Sequence, residues 1–190
     1  MSSVPFTEPT VSIPQRWTNR SPGPGVAPTK RLRELGFPLV PVKLTEEYPV
    51  WDMMAILTAE AATAFHEFTR DGVTEGLNTW PDTFRKGHFI PAVDYLHANR
   101  MRTKLMQVME GMFEHIDVLV GGTSLELAIT NLTGHPSVTI PNGFKEEDGK
   151  KHPKSFRMTS RWFGETTLLQ VAQAYQEATG HHLEHPPGFG

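Results

Sequence analysis

The chain of 190 residues contains no cysteine. This absence excludes disulfides, thiolate nucleophiles, iron–sulfur clusters and cysteine-ligated zinc. An excess of positive charge is also missing, because 18 Lys and Arg stand against 21 Asp and Glu, for a formal net charge of −3. No basic surface for phosphate groups is indicated, so we expect no direct contact with nucleic acid.

The chain also lacks a long uncharged hydrophobic run. The most apolar stretch, residues 50–68, is interrupted by four ionisable side chains: Asp52, Glu60, His66 and Glu67. A bilayer-spanning helix needs about 20 predominantly apolar residues, so we expect no membrane span. Residues 1–10 have no basic region followed by an apolar run, as a signal peptide would. We therefore expect a cytoplasmic protein.

Motifs for phosphate binding and for nucleophilic catalysis are missing as well. Residues 121–124, Gly-Gly-Thr-Ser, follow an expected strand but lack the lysine and the spacing of a phosphate-binding loop. The G-x-S-x-G nucleophile motif is absent. We expect Thr123 and Ser124 to cap a helix instead.

Nine histidines raise the question of a metal site. Residues 181–185 match the H-x-x-E-H pattern of some zinc enzymes, but Gly180 precedes them and two prolines follow. We expect a solvated tail, the other histidines (His135 among them) at the surface or as caps, and no metal or other cofactor. A metal-dependent enzyme that uses the tail histidines is kept as an alternative, to be decided by metal analysis.

Proline placement divides the chain into two parts. Six prolines fall within residues 1–28, which we expect to form a poorly ordered arm. Residues 29–187 alternate between helical and strand patterns, which predicts an α/β fold. Helices are expected at 29–35, 49–70, 91–114 and 164–179, strands at 37–44, 116–120, 137–141 and 155–160, and loops at 72–90 and 142–154.

Two expected helices carry apolar residues at three- and four-residue steps, which predicts one buried face on each. The stripe of the first helix consists of Val50, Met53, Met54, Leu57, Ala61, Ala64, Phe65 and Phe68, and that of the second consists of Val93, Leu96, Leu105, Val108, Met109, Met112 and Phe113. The strand at 37–44 contains two prolines, which favours the edge of a sheet.

Several motifs recur in a specific order. Asn131, Gly134 and Pro136 form N-x-x-G-x-P, and an apolar strand and P-x-G-F at 141–144 follow. Residues 161–176 read RWFGETTLLQVAQAYQ, and the chain nears its end with His-Pro at 185–186. Together with residues 60–70 and 89–100, this order resembles the C-terminal part of the amidase signature family, over roughly residues 29–187. The family comprises free-standing amidases and the A subunit of the aspartyl/glutamyl-tRNA amidotransferase.

The resemblance implies a fold, a reaction and a partial substrate pocket. The implied fold is part of an α/β/α sandwich around a mixed sheet. The implied reaction is hydrolysis or transfer of carboxamide nitrogen by a serine, a second serine in a cis peptide and a lysine. No stretch of this chain matches that machinery, so no catalytic residue is carried over. By resemblance, Thr123, Ser124, Ala128 and Asn131 would line part of the pocket wall.

Two interpretations follow from the missing machinery. The first is a truncated amidase, inactive alone, whose uncovered apolar side chains cause marginal stability or self-association. The second is a binding module that a separate N-terminal amidase half completes. A small amide would be its substrate only in that completed form.

Overall fold

The computed structural model describes residues 11–14, 28–186 and 188. Within these residues, one sheet is built in the order β2-β1-β3-β5-β4. Strand β1 is parallel to β2 and β3, whereas β5 is antiparallel to β3 and β4. The strands are β1 (Val11–Pro14), β2 (Leu39–Val42), β3 (Val118–Gly121), β4 (Ser137–Glu147) and β5 (Lys150–Ser160). The mixed sheet and the edge position of β2 are as predicted.

Helices cover both faces of the sheet. They are α1 (Pro28–Glu34), α2 (Val50–Met53), α3 (Ala55–Ala64), α4 (His66–Arg70), α5 (Trp80–Gly87), α6 (Ala92–Phe113), α7 (Ser124–Thr133) and α8 (Glu165–Thr179). A short 3-10 helix, His181–Leu183, follows α8. One core joins the sheet to α1 and α8, and a second joins its other face to α2, α3, α6 and α7. The predicted α/β/α layering is confirmed.

The N-terminal arm contains a strand that the sequence did not reveal. Val11 is fully buried and pairs with Leu39 on one side and Val118 on the other. A four-residue strand that ends in proline is too short for a period-2 pattern to be recognised. Residues 1–10 and 15–27 of the predicted arm lie outside the described residues, so the division at residue 28 stays a prediction.

The predicted loop at 142–154 is wrong. Strands β4 and β5 continue through it as one antiparallel hairpin, and they meet at Asp148 and Gly149, with φ angles of 51° and 69°. Asp-Gly is a preferred pair for a two-residue hairpin turn, because both residues must adopt positive φ. The polar composition of the hairpin reflects its exposure. The strand predicted at 155–160 forms part of β5 and pairs with β4, which contains the strand predicted at 137–141.

The helix predicted over residues 49–70 is interrupted twice. Met54 separates α2 from α3, and Phe65, with φ −107° and ψ 27°, separates α3 from α4. The predicted stripe does not stay on one buried face. Leu57, Phe65 and Phe68 are exposed, whereas Ile56 is buried.

Helix α5 lies within the predicted loop 72–90. Pro81 occupies its first turn, where a missing backbone N–H costs no hydrogen bond. Phe84 is buried and stacks on Phe65 with ring centroids 4.7 Å apart. Tertiary packing of one aromatic ring therefore supports a helix that is too short for sequence periodicity to detect.

Helix α6 confirms the helix predicted over 91–114, but only the C-terminal part of its apolar stripe contributes buried residues. Leu105, Met109 and Phe113 lie in the core. Val93 and Leu96 in its first turns are 68% and 57% exposed. The described part of the chain provides no cover for them.

Candidate functional site: a crevice at the carboxyl edge of the parallel strands

Two chain segments leave the sheet at the same edge. Because β2, β1 and β3 run parallel, the residues that follow β2 and β3 emerge together at the carboxyl ends of these strands. Ligands of open α/β sheets bind in crevices at such an edge. Here a cavity of about 390 Å³ lies between the segment after β2 and the start of α7. It is lined by Thr45, Glu46, Tyr48, Pro49, Val50, Trp51, Asp52 and Leu125.

The walls of this crevice are aromatic and acidic. Trp51 is exposed and Tyr48 is half-buried, so both offer ring surface to a ligand. Asp52 lies in the first turn of α2 and is exposed. Lys, Arg and His are absent from the lining residues. The crevice thus presents negative charge beside ring faces.

Helix α7 starts next to this crevice with a complete capping box. Thr123 Oγ1 accepts a hydrogen bond from the Glu126 backbone N–H, with N···O 3.2 Å. Glu126 Oε2 accepts in return from the backbone N–H groups of Gly122 and Thr123, at 2.5 and 2.8 Å. The predicted capping role is confirmed for Thr123. The Thr-x-x-Glu spacing is the sequence signal that would have revealed Glu126.

Glu126 and Arg157 each keep one buried atom without a hydrogen bond. Glu126 is 3% exposed, and its Oε1 has no partner. Arg157 lies directly opposite Gly121 in the β3–β5 register, and its Nη1 is buried without a partner. Because opposed residues of an antiparallel pair share a face, Arg157 projects from the side of the sheet that Glu126 covers. Burial of Glu126 Oε1 and Arg157 Nη1 costs free energy of desolvation, and no hydrogen bond to either atom offsets it.

The four predicted wall residues lie at different positions and depths along α7. Thr123 and Ser124 lie at the start of α7, beside Leu125, which does line the crevice. Ala128 is buried in the core beneath the helix, and Asn131 is exposed two turns further along. Only the first two therefore lie near the crevice, and the pocket role of all four stays a prediction.

A second group of polar side chains is buried between α6, the end of α7 and the segment after β5. His135 Nδ1 lies 2.8 Å from Thr133 Oγ1, and His135 Nε2 lies 3.1 Å from Glu110 Oε1. The imidazole is stacked between the rings of Phe113 and Trp162, with centroids 5.2 Å from each. The prediction of a surface or capping histidine is wrong for His135, because the flanking rings exclude water from it.

Thr133, His135 and Glu110 follow the order hydroxyl, imidazole, carboxylate of a hydrolase triad, but here they hold parts of the fold together. Thr133 is fully buried, so no substrate can reach its hydroxyl, which lies 2.9 Å from the Ile129 carbonyl as well as 2.8 Å from His135 Nδ1. Trp162 Nε1 donates to the Thr133 carbonyl at 3.0 Å. Burial lowers the pKa of His135, and the neighbouring Glu110 opposes that shift.

Three basic residues of α6 have no part in either group. Arg102 Nε donates to the Leu132 carbonyl at 2.6 Å and connects α6 to α7, whereas Arg100 and Lys104 are exposed. Across residues 11–14, 28–186 and 188, no group of three or more His, Asp or Glu side chains is arranged to hold a metal ion. In the same residues, no helix combines the length and the apolar character needed to cross a bilayer.

Comparison with known proteins places this geometry in context. No family model matches the chain. An amidase from Pseudomonas putida is 27% identical over 191 residues, which cover 84% of this chain and 40% of the relative. The A subunit of the glutamyl-tRNA(Gln) amidotransferase of Burkholderia mallei is 27% identical over 212 residues, which cover 85% of this chain and 42% of the relative. The chain thus spans about two fifths of the length of these relatives.

Solved structures share the fold. A bacterial aryl acylamidase of the amidase signature enzyme family superposes with a TM-score of 0.64 at 15% sequence identity, over 90% of this chain and 44% of the other. The chain is related to the amidase signature enzymes. The match falls on the C-terminal portion of the relatives, as the motifs predicted.

Amidase signature enzymes use two serines and a lysine in catalysis. The serines described in this chain have different surroundings. Ser137 Oγ lies 2.9 Å from Thr159 Oγ1, and Ser160 donates to the Arg161 carbonyl at 3.3 Å. Ser124 is exposed at the start of α7. All peptide bonds of the described residues are trans. A serine in a cis peptide, as the amidase signature mechanism uses, is not found among them.

Proposed function

We propose that this chain supplies the C-terminal framework of an amidase-type fold and does not hydrolyse amides by itself. The observation that supports this proposal is the setting of the described serines. Ser137 and Ser160 bond to a hydroxyl and a carbonyl, and the peptide bonds are trans. The family reaction would need a serine activated through a second serine by a lysine.

The expected loss of amide hydrolysis is large enough to be measured. Removal of the nucleophile from a serine hydrolase lowers turnover about 10⁶-fold. In this proposal the nucleophile, the relay, the base and the oxyanion donors are all missing together. Hydrolysis by the 190-residue chain should therefore be indistinguishable from the uncatalysed reaction.

The direct test is ammonia release from a panel of small aliphatic and aromatic amides by the purified chain. We expect no turnover above that of Ser124→Ala and Ser155→Ala, each of which removes an exposed serine. Activity of the wild-type chain that one of these substitutions abolishes would refute the proposal, because it would identify a working nucleophile. Rates equal to that of the uncatalysed reaction in all three proteins would support it, and equal rates above it would refute it.

A second function, completion by a partner chain, is favoured by exposed apolar side chains. Phe89, Val93 and Leu96 follow one another at four- and three-residue steps and are 85%, 68% and 57% exposed. Contiguous exposed apolar surface is typical of interaction sites. A separate chain that carries the two serines and the lysine would cover this surface, and the wall predicted at Thr123, Ser124, Ala128 and Asn131 would then face its catalytic groups.

Co-expression tests the completed form. The chain would be produced with the N-terminal half of an amidase signature enzyme, and copurification and amide hydrolysis would be measured. We expect Val93→Glu to prevent copurification and Gln107→Glu, which adds the same charge at an exposed position of α6, to leave it intact. Failure of the wild-type chain to form a complex would argue against completion but not against inactivity alone.

A further inference from the structure

We propose that the crevice at the carboxyl edge of the parallel strands binds a small organic ammonium ion that carries an aromatic or alkyl group. The inference concerns the cavity of about 390 Å³ between the segment after β2 and the start of α7. It is independent of whether the chain hydrolyses amides.

The ring faces of the crevice provide the first argument. Trp51 is 59% exposed, and Tyr48 lines the same cavity. An indole face is the best aromatic partner for a cation, since the negative face of the ring quadrupole attracts positive charge. An exposed tryptophan beside a cavity is thus suited to an ammonium ligand.

Charge provides the second argument. Asp52 and Glu46 both line the crevice, and the lining set holds no Lys, Arg or His. Glu46 makes an interaction of its own within the protein, so the inference rests on Asp52. A carboxylate next to ring faces favours a cation over a neutral or anionic ligand.

The start of α7 removes the competing possibility of an anion site. Backbone N–H groups at a helix N-terminus commonly bind anions. Here the Glu126 carboxylate already accepts from Gly122 N–H and Thr123 N–H, at 2.5 and 2.8 Å. The positive end of the helix is therefore neutralised by the chain itself.

The apolar side chains of the crevice favour an apolar group on the ligand. Pro49, Val50 and Leu125 line the crevice between the polar groups. Its volume of about 390 Å³ is at the lower end of the range of small-molecule sites, about 300–1,000 Å³. A single ring or a short alkyl group attached to the ammonium fits this description.

The test is a titration of the full 190-residue chain with benzylammonium chloride, followed by intrinsic tryptophan fluorescence and by calorimetry. Benzyl alcohol serves as the uncharged probe of the same shape. We expect saturable benzylammonium binding with a Kd on the order of millimolar, weakened by salt, and at least about 3-fold weaker binding of the alcohol.

Matched variants locate the site. Asp52→Asn should weaken benzylammonium binding about 3- to 10-fold, and Trp51→Leu about 2- to 5-fold. Asp94→Asn is the control, because Asp94 also lies in the first turn of a helix, and it should leave the Kd unchanged. Equal binding of benzyl alcohol, an equal loss in the Asp94 variant, or no saturation by the ammonium ion would overturn the proposal.

Discussion

Gly121 and Glu126 compete for one position: a β-carbon on Gly121 would lie 2.1 Å from Glu126 Oε2. Because Glu126 is held by two backbone N–H groups, its carboxylate is not free to move aside. The last residue of β3 and the first turn of α7 are thus fitted to each other. A side chain at 121 has to break the capping box or displace the strand.

Substitution of Gly121 by alanine should therefore destabilise the protein by about 1–3 kcal/mol, as expected for overpacking. Gly111→Ala is the control, because a β-carbon there meets nothing within 4 Å. Gly111 lies inside α6, so this change should stabilise the protein by about 0.5–1 kcal/mol. Urea unfolding of the two variants measures both effects, and equal signs would contradict the argument.

Glu126 and Arg157 should respond to substitution in different ways. Glu126→Ala removes the acceptor of two N–H groups and should cost about 2 kcal/mol. Arg157→Met removes a guanidinium whose Nη1 is buried without a partner, so the free energy of unfolding should stay the same or rise. A strongly destabilised Arg157→Met variant would show that the guanidinium has a partner after all.

Stability should fall in mildly acidic solution because of His135. Burial lowers its pKa in the folded state from the ordinary value of 6.5, so the unfolded chain binds its proton more readily. The contribution of neutral His135 is complete above about pH 6.5 and is lost as the pH falls toward the folded-state pKa. Urea midpoints at pH 7.5, 6.5 and 5.5 should decrease in that order.

Two substitutions assign this pH dependence. His135→Gln removes the titrating ring and should flatten the decrease between pH 6.5 and 5.5. His97→Gln, at an exposed position of α6, should keep the wild-type profile. A wild-type midpoint that rises toward pH 5.5 would mean that the ion pair with Glu110 outweighs burial.

The exposed start of α6 should cause self-association of the isolated chain. Burial of large apolar side chains between copies is favourable by about 25 cal/mol per Å². We expect concentration-dependent sedimentation and binding of a hydrophobic dye, both reduced in a Val93→Asn/Leu96→Asn variant. A monomer at all concentrations, with a sharp reversible melt, would contradict this expectation.

The sequence predicted those elements whose local pattern agrees with their packing. In α8, predicted over 164–179, Leu168, Val171 and Tyr175 recur at three- and four-residue steps and are buried, and Gly180 ends the helix with φ 66°. In α6 the same periodicity identified the helix but not its buried face. Periodicity fixes which residues share a face, whereas burial depends on the elements that pack against it.

The sequence did not predict the crevice, because its lining residues come from distant parts of the chain. Tyr48, Trp51 and Asp52 lie some 70 positions from Leu125, and only the parallel order of β2, β1 and β3 brings them together. That order depends on β1, a strand of four residues that no pattern revealed. His135 was likewise misplaced, since its aromatic neighbours come from distant segments.

The position of β1 in the sheet determines where the chain can be shortened without breaking the sheet. Strand β1 is the sole link through which β2 bonds to β3 within the described sheet, because the order is β2-β1-β3. A shortened version that begins after Pro14 would lack β1. Strand β2, which follows α1, would then have no backbone hydrogen bonds to the remaining strands. The segment after β2 would keep its packing against α7 in the second core but would lose its connection to β3 through the sheet. Removal of the proline-rich start would therefore weaken the support of one wall of the crevice.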